Sequence, residues 1–110
     1  MNMRSYEYKR CRCKTAPKLK DIEFSQVAAR QLRIASLPSR MRLLLLLARA
    51  SHCVCDLMTH TKLSQTLISH HLSGLTKAGL VQNEKSGAFV DYSLTDKGRK
   101  LVEAIQTLNS

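Results

Sequence analysis

A chain of 110 residues with 18 Lys and Arg against 8 Asp and Glu carries a net charge of +10, and its hydrophobic share of 44% includes no Trp. That size supports one domain around one aliphatic core, and no apolar run is long enough to span a bilayer. The opening MNMRSYEYKRCRCK lacks an apolar segment after its basic residues, so the expected location is the cytoplasm rather than a membrane or the exterior. The charge favours a polyanionic partner, nucleic acid first.

Residues 1 to 18 show little periodicity, and within the first 20 residues Arg4, Lys9, Arg10, Arg12, Lys14, Lys18 and Lys20 stand against Glu7 alone. The reading is a basic, flexible arm over 1–18 carrying the pair Cys11/Cys13, followed by one folded domain over 19–110, to which the elements below give its DNA-binding and dimerisation character. From Leu19 apolar residues recur at helical spacing, with Phe24, Ala28, Leu32 and Ala35 on one face and Ile22 and Val27 beside them. The residue before a proline avoids the helical region, so this helix stops ahead of Pro38. Pro38 then opens a second helix, SRMRLLLLLARA, whose apolar character all round predicts a central place in the core. Arg40 and Arg42 are expected to be solvated.

Cys55 to His60 reads as a short helix and Thr61 to Leu63 as a turn. Ser64 is a good N-cap for the next helix, and Gly79 a good left-handed stop. On that helix Ile68, His71, Leu72, Leu75 and Ala78 share one face, and Thr66, Ser69, His70, Ser73 and Lys77 share the other. The second face is rich in groups that both give and accept hydrogen bonds, which suits base edges in a major groove. Helix, tight turn and polar-faced helix make a helix-turn-helix. Gly74, inside the second helix, weakens it by about 1 kcal/mol relative to Ala, and a close approach to another backbone is the one reason the sequence suggests.

LVQNEKSG and AFVDYSL then alternate partially and are joined at Glu84 to Gly87, a β-hairpin signal with Gly87 supplying positive φ. Thr95 or Asp96 caps a last helix, DKGRKLVEAIQTL, with Leu101, Ile105 and Leu108 on one face. The fold class is therefore mainly α with a small two-stranded wing: a winged helix-turn-helix. The last helix needs cover from the first helix or from a second copy. A homodimer would set two reading helices about one turn of DNA apart, roughly 34 Å, to read a palindrome in double-stranded operator DNA. Gln65, Thr66, Ser69 and His70 are the expected base readers, with Lys85 in the wing on a phosphate or the minor groove. No acid/base pair or partnered nucleophile points to an enzyme, and no organic cofactor is expected.

The four cysteines form two CxC pairs, Cys11/Cys13 and Cys53/Cys55. In a cytosolic protein paired thiols point to metal binding or redox chemistry. Thiolates select Cd(II), Pb(II), As(III), Zn(II) or Cu(I) over hard ions. Residues i and i+2 of a helix diverge by about 200°, so Cys53 is expected at or before the helix start, where it can turn towards Cys55. His52 and His60 are read as exposed, His71 as a packed core residue.

The segment SHCVCDLMTHTKLSQTLISHHLSGLTKAGLVQNEKSGAFVDYSLTDKG resembles the ArsR/SmtB metal-responsive repressors of bacteria. LSQTLISHHL is similar to the family's reading helix, AGLV to its exit, CVCDL to its metal motif and LPSRMRLLLLLA to its second helix. The resemblance implies a homodimeric repressor that releases operator DNA when an inducer binds. The family's zinc-type site on the last helix is rejected, since Gly98 stands where a His is expected and that helix has no His. The arsenic-type site uses a third thiol where this chain has Met58. The cadmium/lead type joins the CVC pair to arm cysteines, which selects Cys11, Cys13, Cys53 and Cys55 as ligands for Cd(II), Pb(II) or Zn(II). Three alternatives stay open: an As(III)-responsive repressor using the same thiols, a dithiol redox switch, and a permanent structural zinc.

Overall fold

The computed structural model describes residues 18–109, so Cys11, Cys13 and the rest of the arm up to Pro17 lie outside the described residues. Five helices and three strands follow in the order α1 (Leu19–Ala35), α2 (Pro38–Arg49), β1 (His52–Cys53), α3 (Val54–Thr61), α4 (Gln65–Lys77), β2 (Val81–Ser86), β3 (Phe89–Leu94) and α5 (Asp96–Leu108). Local chemistry sets most of these ends. Pro38 occupies the first turn of α2. The Ser64 hydroxyl accepts the Leu67 N–H at 3.2 Å at the start of α4, and Gly79 ends that helix with φ 78°. Thr95, not Asp96, caps α5 by accepting the Gly98 N–H at 3.1 Å.

The core is aliphatic and continuous. Leu43, Leu44 and Leu47 of α2 meet Leu57 of α3, Ile68, Leu72 and Leu75 of α4, Leu80, Val81 and Leu94 of the sheet, and Val102 of α5. Burying each such side chain contributes about 1.5–3 kcal/mol. Leu45 points outward, so α2 is central but not apolar to its partners all round. The turn between α3 and α4 is held by Thr61, whose buried hydroxyl donates to the Leu57 carbonyl at 2.7 Å and accepts the Leu63 N–H at 3.2 Å. Lys62 takes the left-handed conformation beside it, φ 64°.

Five features differ from these expectations or add to them. The sheet has three strands, ordered β1-β3-β2, because His52 and Cys53 pair with Tyr92 and Asp91. A two-residue strand leaves no period to read. The hairpin turn is Gly87-Ala88, with Gly87 at φ 63°, and Lys85 lies within β2 opposite Val90. Arg40 is not simply solvated: its Nε donates to His71 Nδ1 at 3.1 Å and its Nη1 to the Ile34 carbonyl at 3.3 Å. The guanidinium lies over Gly74, where a Cβ would stand 2.7 Å from Nη1, so the close approach is by a side chain and not a backbone. Lastly, the apolar stripe of α1 does not join the core of its own chain: Phe24 is 73% and Leu32 55% exposed, and Ala35 is the buried residue of the helix. Leu108 of α5 is 83% exposed, while α5 packs chiefly on α2 and β3. Among the described residues no helix is long and apolar enough to cross a membrane.

Candidate nucleic-acid interface and thiol cleft

Helix α4 separates its two faces as its pattern demands. Ile68, Leu72 and Leu75 are buried, whereas Gln65, Thr66, Ser69, His70, Ser73 and Lys77 are exposed. All four expected base readers therefore lie on one accessible surface. His71 is half-buried and holds a neutral imidazole, since it accepts from Arg40 at Nδ1. Burial, then the charges of Arg40 and His70, hold its pKa below the usual imidazole value.

The wing has two chemically different faces. Register partners in an antiparallel sheet project to the same side and successive residues to opposite sides. The pairs Val81/Leu94, Asn83/Tyr92 and Lys85/Val90 therefore share one face, and Glu84/Asp91 and Ser86/Phe89 share the other. The first face begins in the core at Val81 and Leu94 and then borders α4. Lys85 thus lies on the α4 side of the wing. Asn83 and Tyr92 join it there, and they were not among the expected contacts, although alternation along VQNEK carries the signal for Asn83.

Cys53 is the N-cap of α3, with extended φ −88° and ψ 170°, as the divergence of i and i+2 on a helix requires. Cys53 pairs with Asp91 across β1 and β3, so its side chain projects from the second face of the sheet. There Cys53, Cys55, Asp56, Ser86, Phe89 and Asp91 line one cleft of about 440 Å³. The Cys53 thiol donates to Asp56 Oδ2 at 3.3 Å and the Cys53 N–H to the same oxygen at 3.4 Å. The thiol hydrogen bond first, and the backbone one second, hold the Asp56 carboxyl below its ordinary pKa. Both cysteines are free thiols. Among the described residues no three His, Cys, Asp or Glu side chains converge as a metal site, so the cleft supplies two thiols and needs further ligands. His52 and His60 stack edge to face at 5.5 Å. His52 also places Nδ1 2.7 Å from the Ala50 carbonyl.

The zinc-type position on α5 is closed for a steric reason as well as a chemical one. Gly98 is buried, and any Cβ there would collide with the Leu80 carbonyl oxygen.

A helix-turn-helix with a polar reading face and a three-stranded wing defines a winged-helix DNA-binding regulator. Comparison with known proteins agrees: "Bacterial regulatory protein, arsR family" matches residues 38–83. The chain is 38% identical over 80 residues to a "Transcriptional repressor SmtB homolog" of Synechocystis, a match covering 73% of this chain and 61% of that protein. It is also 38% identical over 78 residues to an "Arsenical resistance operon repressor" of Staphylococcus aureus, covering 71% and 73%. The homodimeric winged helix-turn-helix DNA-binding domain of Mycobacterium bovis Mb0332 superposes with a TM-score of 0.74 at 22% identity, over 86% of this chain and 89% of that one, a likeness of fold. The chain belongs to the ArsR/SmtB family of transcriptional regulators, which bind DNA and are not enzymes. The matched stretch spans about three fifths of the Synechocystis relative, 61% of its length.

Proposed function

We propose that this protein is a cytoplasmic, metal-responsive repressor: reduced and metal-free, it binds a palindromic operator as a homodimer, and a thiophilic ion bound by its cysteines releases it. Gln65, Thr66, Ser69 and His70 read base edges, and Lys85 contacts a phosphate or the minor groove. The dimer follows from the apolar stripe of α1 and from Leu108, which stay exposed in one chain and which a second copy would cover.

The observation that carries the sensing is the position of the thiol cleft on the reverse of the sheet whose other face borders α4. A ligand that reshapes the Cys53 side of β1 and β3 acts on the wing directly. Binding takes the proton from Cys53 and so removes the thiol hydrogen bond to Asp56. Cys11 and Cys13 complete the set begun by Cys53 and Cys55, in the cadmium/lead manner, and Asp56 and Asp91 in the cleft favour a cation. Tying down the arm also withdraws its basic charge from the DNA. Deleting residues 1–14 is then expected to weaken operator binding and flatten its salt dependence; an unchanged slope would refute the arm's part. A differential affinity of about 3 kcal/mol between the two states weakens DNA binding roughly 150-fold.

The name of the Staphylococcus aureus relative favours a second reading, in which As(III) is the inducer at the same thiols. Anisotropy of a labelled duplex with reduced, metal-free protein, titrated with Cd(II), Pb(II), Zn(II) and As(III), separates them by which ion releases the DNA. Release by oxidant alone would instead make the cysteines a redox switch. Loss of DNA binding on chelation would make the metal structural.

A further inference from the structure

Between α4 and the wing runs a second cleft, of about 320 Å³, lined by Ser69, Ser73, Thr76, Lys77, Asn83 and Tyr92. Some hydroxyls of the fold are engaged internally: Thr59, Thr61 and Thr107 donate to carbonyls one turn back, and Thr95 to the Gly79 carbonyl. In the cleft none of the six polar side chains has a hydrogen-bond partner among the described residues. Asn83 and Tyr92 are register partners, so amide and phenol stand side by side on one wall. Ser69, Ser73, Thr76 and Lys77 recur at i, i+4, i+7 and i+8 along the other.

We infer that this cleft is a binding channel for one strand of the sugar-phosphate backbone of duplex DNA, with Asn83 and Tyr92 as phosphate ligands facing Lys77 and the hydroxyls of Ser73 and Thr76, while Ser69 at its edge stays with the base readers. The inference rests on the DNA-binding reading above and adds the path of the strand. A helix in the major groove and a wing at the adjacent minor groove lie on either side of one backbone, since that backbone is what separates the two grooves. The strand must then run between them. What it meets there are hydroxyl and amide donors and one ammonium, the groups that bind phosphate oxygens. No carboxylate lines the cleft. Lys85, on the same sheet face as Asn83 and two residues further out, continues the positive lining towards the minor groove. Phosphate contacts position a protein without reading sequence, so these residues set affinity and register while Gln65, Thr66, Ser69 and His70 set specificity.

The test uses the full-length reduced protein and a duplex selected by it from a random-sequence pool, with an unrelated duplex as control. Tyr92→Phe removes only the hydroxyl, and Asn83→Ala only the amide. Each is expected to weaken binding to both duplexes by the same factor, about tenfold for a hydrogen bond to a charged group. Lys77→Gln is expected to lower the slope of log K against log salt by about 1. Gln65→Ala, in contrast, should weaken the selected duplex much more than the control. Neutral methylphosphonates placed singly along the selected duplex give a readout on the unmodified protein, where a short run of sensitive phosphates is expected that becomes insensitive in the Asn83→Ala/Tyr92→Phe protein. Variants that bind both duplexes as the parent does, or that lose only the selected one, overturn the phosphate assignment while leaving DNA binding intact. A parent protein that retains no duplex from the pool overturns the DNA-binding reading and this one with it.

Discussion

Gly74→Ala tests the lock between α2 and α4 in isolation. In an unobstructed helix interior the change stabilises by about 1 kcal/mol, because alanine loses less backbone entropy on folding. Here the new Cβ would stand 2.7 Å from Arg40 Nη1 and 2.8 Å from its Cζ, so the guanidinium must leave. Its departure breaks the 3.1 Å bond to His71 Nδ1 and the 3.3 Å bond to the Ile34 carbonyl. At about 1 kcal/mol each, less some replacement by water at a half-buried site, the loss is about 1–2 kcal/mol. Gain and loss therefore nearly cancel, and the single substitution is expected to be neutral to about 1 kcal/mol destabilising. In an Arg40→Ala background nothing obstructs position 74, and the full gain of about 1 kcal/mol returns. The double-mutant cycle should close with a coupling of about 1–2 kcal/mol. Urea denaturation of the four proteins at one fixed concentration measures it, since the stability of a dimer depends on concentration. A stabilisation of about 1 kcal/mol by Gly74→Ala in both backgrounds would refute the account of Gly74.

The same lock predicts a pH dependence. The His71 pKa is lowered on folding by burial and by Arg40, so the folded state binds its proton less readily than the unfolded chain. The full contribution is present above the ordinary imidazole value of 6.5 and is lost as the pH falls from there through the folded-state value. His71→Gln, which keeps an acceptor without a titrating ring, should flatten the fall in melting temperature between neutral and mildly acid pH; an equal fall in both proteins would exclude His71 as its source. Gly98→Ala is expected to destabilise by about 1–3 kcal/mol, because its Cβ meets the Leu80 carbonyl, and a melting temperature equal to the parent's would contradict that packing. Cys53→Ser and Cys55→Ser should each retain duplex binding but lose release by the inducing ion, as read by anisotropy. Release that survives in both would remove these thiols from the sensor.

What the sequence determined by itself was local. Ser64, Gly79, Pro38 and Thr95 act on the backbone within a turn of themselves, so the ends of α4, the start of α2 and the cap of α5 are legible without a fold. The 3.6-residue period likewise sorts α4 into Ile68, Leu72 and Leu75 inside and Thr66, Ser69 and His70 outside. The tertiary structure alone decided whatever depends on residues distant in the chain. Arg40 reaches His71 across 31 positions, and the reason for Gly74 is that guanidinium, which no helical pattern contains. The strand at His52 and Cys53 exists only because β3 offers it a partner. That pairing puts Cys53 on one side of the wing sheet and His52, with Tyr92 and Asn83, on the other. A period of two states that neighbours face opposite ways; which way leads to α4 and which to the thiols is set by how the sheet packs on the core.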